Sequence, residues 1–292
     1  PFAKIAWQPG WLGLLLALTV SFLFVVTIIS QRKRLRVQAL VAWSVVLGSA
    51  VLWTLSSSVN RVIGVPAKWR IAACDVGQGD AFLFREYSEK DHRWHTALVD
   101  TGRYPELLRD CLVRVGITRL DLLVLTHYDV DHVGGASVVA GMADHVIVGT
   151  PENADDQRLK DRVCEHAQTC ELATAGMVGA VGEAQWQILW PNGRTRGMQL
   201  GNPGSVTLLV EWPDLSALFT GDLGEAAQEA MLAENQDIPV VDVLKVAHHG
   251  SSDTSQILIH RIQPRVGLIS VGSDNLESDF HVAQRRCEHR SN

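Results

Sequence analysis

The ten residues from Thr126 to Gly135, Thr-His-Tyr-Asp-Val-Asp-His-Val-Gly-Gly, place four side chains able to hold a divalent ion, His127, Asp129, Asp131 and His132, within six positions. Imidazole and carboxylate are donors that transition ions accept, and they act together only where the chain bends enough to aim several at one point. Gly134 and Gly135 supply such a bend. The apolar run Leu122–Leu125 just upstream reads as a buried strand, so the cluster is expected at the edge of a sheet. The plain alternative is a polar turn facing water. It is disfavoured by the partners that the rest of the chain supplies.

Those partners also sit at strand ends. Trp69–Cys74 and Ala81–Phe84 read as short strands around Asp75-Val-Gly-Gln-Gly-Asp80, and Thr96–Asp100 as a strand ending in Asp-Thr-Gly. A helix over Tyr104–Val115 and the strand Leu120–Thr126 follow. Ala136–Ala143 reads as a short helix, Val146–Gly149 as a strand, and residues 151–180 as helix and loop. A second half has strands Trp186–Trp190, Ser205–Trp212 and Ser216–Thr220, the last feeding Gly221-Asp222. Then come the helix Glu225–Glu234, the strand Val241–Val246 running into His248-His249-Gly250-Ser251, the helix Gln256–Ile262 and the strand Val266–Val271. Two mixed sheets with helices outside predict an αββα sandwich, an α/β fold. Asp100, the His127–His132 cluster, Asp222 and the His248-His249 pair thus each follow a strand. A lone Thr-Gly-Asp or His-His would carry little weight; their recurrence in this order points to one metal centre.

Composition divides the chain of 292 residues. Residues 1–60 hold no Asp or Glu and five basic residues, whereas the remainder holds 21 Lys and Arg against 32 Asp and Glu, a balance of −11. A domain that acidic is a poor stable coat for nucleic acid, because phosphate affinity comes mainly from Lys and Arg. An enzyme that meets phosphate through bound metal is still allowed. Trp11–Ser30 and Val37–Asn60 are uncharged and long enough to cross about 30 Å of hydrocarbon. They predict two transmembrane helices in residues 1–60 and a soluble domain in 61–292. Four Lys and Arg among Gln31–Arg36 place that loop in the cytoplasm and the soluble domain on the far side, although Arg61, Lys68 and Arg70 weaken the asymmetry. A chain that opens at Pro1 is expected to be the tail of a longer membrane protein. The five cysteines form no Cys-x-x-Cys pair; Cys164 and Cys170 are close enough in sequence for a short disulfide if the domain is periplasmic.

The sequence His127-Tyr-Asp129-Val-Asp131-His132 resembles the His-x-His-x-Asp-His signature of the metallo-β-lactamase superfamily, with Asp in the second histidine position. Together with Asp75-Val-Gly-Gln-Gly-Asp-Ala81, Thr220-Gly-Asp222 and His248-His-Gly-Ser251, it resembles more narrowly the C-terminal domain of the ComEC family of DNA-uptake channel proteins. The likeness extends to about Asn275; the Gly-His-Pro turn of the family does not follow, and His281 is a weak substitute. The resemblance implies a metallo-β-lactamase-like sandwich holding two divalent ions, Mn²⁺ or Zn²⁺. His127 and Asp129 would bind the first, Asp131 and His132 the second, Asp222 both, and the His248-His249 pair would supply the remaining imidazole, its other member meeting substrate phosphate. Asp100 would orient ligands from behind, or else be a turn former. Asp75, Gln78 and Asp80 would support the site or merely shape a bend.

One departure is informative. No histidine occurs from residue 167 to 247, where the superfamily places another ligand, and Asn202-Pro-Gly-Ser205 occupies that slot. An oxygen-rich first site holds zinc less well and tolerates a harder ion. Two such ions can activate water and neutralise charge growing on a phosphoryl group. The resemblance therefore implies a metal-dependent hydrolase that cuts DNA, single-stranded by expectation, with Asp131, Asp222 and the histidine pair as its catalytic groups. Its partners would be DNA, the membrane-embedded channel part of the same protein and other competence proteins, at the inner membrane. Two alternatives stand beside it: a nonhydrolytic domain that guides or gates DNA, and a small-ester or lactone hydrolase of the same fold.

Overall fold

The computed structural model describes residues 32–35, 37–38, 41–45, 48, 65–66, 68–193 and 200–272. The chain divides into two compact units, Pro1–Val65 and Pro66–Asn292. In the first, the described residues from 33 to 48 are helical. No helix among the described residues is long and apolar enough to cross a membrane; the expected span Trp11–Ser30 and most of Val37–Asn60 lie outside them. So do Cys287 and the chain beyond Gly272.

The second unit is built on two sheets of six strands each. In the first sheet β1 (Ile71–Ala73), β2 (Phe82–Ser88), β3 (Arg93–Val99), β4 (Leu120–Leu125), β5 (Ala143–Val148) and β6 (Thr169–Leu172) lie side by side in chain order. β1, β2 and β3 are antiparallel neighbours, while β3 to β6 run parallel. The second sheet runs in order from β7 (Val178–Val181) through β8 (Ala184–Trp190), β9 (Thr207–Glu211), β10 (Ser216–Phe219) and β11 (Val243–Lys245) to β12 (Val266–Leu268). Its first four strands are antiparallel, and β10, β11 and β12 run parallel. Each sheet therefore brings C-terminal strand ends together at one edge, where loops carry the polar residues.

Two cores hold this arrangement. Phe82, Phe84, Val99, Leu122 and Val124 of the first sheet pack against Ile188, Leu208, Val210 and Phe219 of the second. The opposite face of the second sheet, Leu189, Leu209, Leu218 and Leu244, packs on α5 (Glu225–Glu234) and α6 (Gln256–Ile262) through Met231, Leu258 and Ile262. A sheet covered on both faces needs apolar residues at successive positions, which is why Thr207–Val210 and Leu122–Leu125 show no alternation.

Helix α1 (Pro105–Val115) starts at a proline and ends at Gly116, whose φ of 73° completes its last turn. The turn after β4 becomes two short helices, α2 (Val130–Val133) and α3 (Ala136–Val139), and α4 (Ala154–Cys164) is capped by the Asn153 side chain. The helix expected over Ala136–Ala143 stops at Val139, because Gly141 turns the chain at φ 77° and Ala143 already belongs to β5. Residues 151–180, expected as helix and loop, also contain β6 and β7. Both are edge strands whose residues are largely exposed, so neither shows an apolar pattern.

Cys164 pairs with Cys170, as the sequence allows, and a second disulfide joins Cys74, after β1, to Cys111 on α1. The latter closes a loop spanning 37 positions. Replacing Cys74 and Cys111 by alanine should lower the unfolding free energy of the purified chain by about 3–4 kcal/mol. An unchanged urea midpoint would show that this bridge contributes no constraint.

Candidate metal centre

The site forms where the C-terminal ends of β3, β4, β10 and β11 converge. β3 ends in Asp100, a non-glycine residue at φ 58°, buried beneath the turn that follows β4. Its Oδ1 accepts the Thr126 amide at 2.7 Å; its Oδ2 accepts the Thr126 hydroxyl at 2.8 Å and faces His132 Nδ1 at 2.9 Å. The two sheets meet tightly here. The Val206 amide donates to the Thr126 carbonyl at 3.0 Å, and a Cβ on Gly221 would lie 2.9 Å from both Thr126 and Ser205. The loop before β2 closes the other side. Gly79 at φ 122° leaves no room for a Cβ beside the Asp131 carbonyl, which accepts the Asp80 amide at 3.1 Å.

These contacts bring His127, His132, Asp222, Asp131, His249 and Asp80 together. Donor atoms of His127, His132 and Asp222 lie within 4.8 Å of one another, as do those of Asp131, His132 and His249. Asp222 Oδ2 stands 3.1 Å from His132 Nε2 and 3.4 Å from His249 Nε2, between the two groups. The rings of His127 and His132 are 4.1 Å apart, and those of His132 and His249 5.3 Å.

Each histidine is fixed through Nδ1. His127 Nδ1 faces the Thr126 hydroxyl at 3.0 Å and the Ser205 hydroxyl at 3.3 Å, His132 Nδ1 faces Asp100, and His249 Nδ1 donates to the Ser270 carbonyl at 2.9 Å. A carbonyl or carboxylate only accepts. Nδ1 of His132 and of His249 therefore carries the proton, and in the neutral ring Nε2 presents a lone pair. The Nε2 atoms of His127, His132 and His249 are buried and make no hydrogen bond. Three aimed and unsatisfied imidazole nitrogens beside two carboxylates fit divalent ions.

The field of the site points the same way. Burial opposes charge on His132, yet Asp100 and Asp222 outweigh it and hold the imidazole up to about 10. Burial likewise opposes charge on His249, but Asp131, Asp222 and Asp80 lift it to about 11. Burial would raise Asp131, and the facing His249 and His132 bring it down to about 2. The carboxylates thus demand cations, and without metal they take them as protons.

Not every expected residue joins. His248 does not enter the ligand groups. It and His249 both adopt left-handed backbone, φ 48° and 52°, and their rings diverge at 69° with centroids 6.3 Å apart, so only His249 turns inward. Asp129 stands at the rim, largely exposed, with Oδ2 3.6 Å from His127 Nε2. Ser205 is buried and bonds both His127 and the Asp222 amide, the latter at 3.2 Å, whereas Asn202 accepts the Ser205 amide through its carbonyl. Gln78 accepts the Gly272 amide at 3.0 Å and so ties its loop to the segment after β12. Asp75 is exposed and contacts the Gly77 amide at 3.4 Å, which makes it a bend former.

Sequence reasoning missed Lys245, the last residue of β11. It is buried, donates to the Gly221 carbonyl at 2.7 Å and pairs with Asp80 and Asp222. Its signal was a charged residue at the inward register of an apolar strand, opposite Phe219.

Because each proton must leave before a metal binds, metal affinity should rise with pH by up to about tenfold per unit for each proton displaced. In the metal-free chain, both histidines have folded-state values above the ordinary 6.5. Their stabilising contribution is full below pH 6.5 and is lost as pH climbs toward 10 and 11. The rise in melting temperature on adding Mn²⁺ should therefore grow between pH 6 and 9. A flat increment across that window would exclude proton competition at these imidazoles. Asp100→Ala should weaken metal binding about 10–100-fold by releasing the His132 ring, measured by calorimetry.

Comparison with known proteins agrees with this geometry. Residues 74–272 match the family model of the metallo-beta-lactamase superfamily. ComE operon protein 3 of Bacillus subtilis is 28% identical over 226 residues, covering 69% of this chain and 28% of the relative. Recombination protein 2 of Haemophilus influenzae is 34% identical over 231 residues, covering 76% of this chain and 26% of the relative. Competence protein ComA of Neisseria gonorrhoeae is 27% identical over 217 residues, covering 70% and 27%. The chain thus spans about a quarter of the length of these relatives. Among solved structures, the E377D mutant of the β-hydroxylase CmlA superposes with a TM-score of 0.50 at 16% identity, over 71% of this chain and 47% of that one, a likeness of fold alone. These relatives are ComEC-family competence proteins, and the chain itself belongs to the metallo-beta-lactamase superfamily, whose members are typically metal-dependent hydrolases.

Proposed function

We propose that the domain hydrolyses phosphodiesters with two divalent ions, cutting DNA beside a membrane uptake channel. The observation that carries this reading is the set of three unsatisfied Nε2 atoms gathered around Asp131 and Asp222, with the Ser205 hydroxyl on His127 Nδ1. His127, Asp129 and Asp222 would hold the first ion; Asp131, His132, Asp222 and His249 the second. Bound there, divalent ions supply Lewis-acid activation of water and neutralise charge on a phosphoryl oxygen and leaving group. The protein's own part is to present the ligands already oriented. Asp100 and the Ser270 carbonyl fix the ring tautomers, and Ser205 holds His127 and the Asp222 backbone. His248, half-exposed, would be the member of the pair that meets a substrate phosphate. An oxygen-rich first site suits Mn²⁺ at least as well as Zn²⁺.

The two disulfides support an oxidising compartment, in keeping with the basic loop at Gln31–Arg36. The names of the relatives speak of competence and recombination, which supports DNA as the substrate. The remainder of a channel and further competence proteins would be the partners.

With Mn²⁺, the purified chain should cut single-stranded DNA, and Asp131→Ala or Asp222→Ala should reduce cleavage to the buffer background. Equal cleavage by the variants would remove the nuclease reading. DNA retention without cleavage would favour a guiding domain, and turnover confined to lactones or β-lactams would favour a small-ester hydrolase.

A further inference from the structure

Lys245 is out of keeping with a site made to collect cations, because its ammonium is buried among the carboxylates that would hold them. Its contacts explain what it does there. Nζ donates to the Gly221 carbonyl at 2.7 Å, pairs with Asp80 Oδ2 and lies 3.3 Å from Asp222 Oδ1. The two oxygens of Asp222 are thereby divided. Oδ1 faces the ammonium, and Oδ2 alone faces His132 and His249, at 3.1 and 3.4 Å.

Asp80 completes the picture. Its carboxylate is buried, with Oδ1 3.4 Å from His249 Nδ1, and donor atoms of Asp80, Asp222 and His249 lie within 4.8 Å of one another. By donor type and spacing they could hold an ion of their own, and the Lys245 ammonium stands between the two carboxylates of that group.

Resting on the two-ion reading above, we infer that Lys245 is a positioning residue. It acts as a built-in cation that closes the Asp80–Asp222 position to metal and turns Asp222 so that a single oxygen, Oδ2, is offered to both ions. The chain thereby fixes the number of ions and the geometry of the bridge before any ion arrives. Gly221 is part of the device. Its carbonyl anchors the ammonium, and its φ of 54° carries the chain from β10 into Asp222.

The test is Mn²⁺ binding by calorimetry and electron paramagnetic resonance on three purified chains. They are the unaltered chain, Asp80→Asn, and the double variant Asp80→Asn/Lys245→Met. The double variant removes both members of the buried pair, so no unpaired carboxylate from Asp80 is left to unfold the domain. The unaltered chain should bind two ions and show the spectrum of a coupled pair. Asp80→Asn keeps the ammonium on Asp222 and should keep that spectrum. The double variant should bind the second ion at least tenfold more weakly and lose or alter the coupling, with kcat falling more than KM changes. Two ions bound with unaltered affinity and coupling in the double variant would overturn the inference and leave Lys245–Asp80 as a core ion pair. Fewer than two ions in the unaltered chain would overturn the two-ion reading, and this inference with it, before any variant is compared.

Discussion

The carboxylate of Asp100 is the contact on which the metal centre depends. It accepts from the Thr126 amide and hydroxyl and faces His132 Nδ1, so one buried side chain joins the end of β3 to the end of β4 and to the ligand turn. Bonds to a charged acceptor are worth about twice those between neutral groups. The turn after Leu125 needs such anchors, since four-residue helices have little stability of their own, and the Thr101 and Asp80 amides add to them by donating to the His132 and Asp131 carbonyls. Thr126 passes the constraint across to the second sheet through its carbonyl and its close approach to Gly221. The two halves of the ligand set are thus registered through Asp100 and Thr126.

Strain is concentrated at the same place. Asp100, His248 and His249 are non-glycine residues in left-handed backbone, and each such position costs about 1–3 kcal/mol. Gly79, Gly221 and Gly250 take positive φ beside them without that penalty. The apolar contacts between the sheets, Phe82, Phe84 and Phe219 among them, offset the cost from a distance and contribute no chemistry. The division of labour is physical: the core supplies stability, and the strand ends use it to hold ligands where an unconstrained chain would not.

What could be read from the sequence follows from this division. Strands covered on both faces appear as apolar runs, and the polar residues that end them are conspicuous, so the sandwich and the set His127, His132, Asp131, Asp222 and the undivided His248-His249 pair were legible. The edge strands β6 and β7 were not, because Thr169–Leu172 and Val178–Val181 are mostly exposed and carry no burial pattern. The pairing of Cys74 with Cys111 was hidden for a different reason. It joins a strand end to a helix, and no local rule brings them together. The choice between His248 and His249 depended on two consecutive left-handed residues, a conformation that composition does not announce.

Ser205 shows why a missing ligand need not leave a gap. In the sequence segment where the superfamily has another histidine, the Ser205 hydroxyl reaches His127 Nδ1 at 3.3 Å and accepts the Asp222 amide at 3.2 Å. A hydroxyl that accepts from an amide can still donate its own proton, so Ser205 can give a hydrogen bond to an Nδ1 lone pair. Thr126, whose hydroxyl proton goes to Asp100, can only accept from that ring. His127 therefore sits between one neighbour that accepts and one that donates, unlike His132 and His249, whose Nδ1 partners are acceptors alone. Its tautomer is the least constrained of the three. The asymmetry leaves His132 and His249 with the firmly oriented rings, and His127, buried but beside the exposed Asp129, as the ring whose proton can sit on either nitrogen.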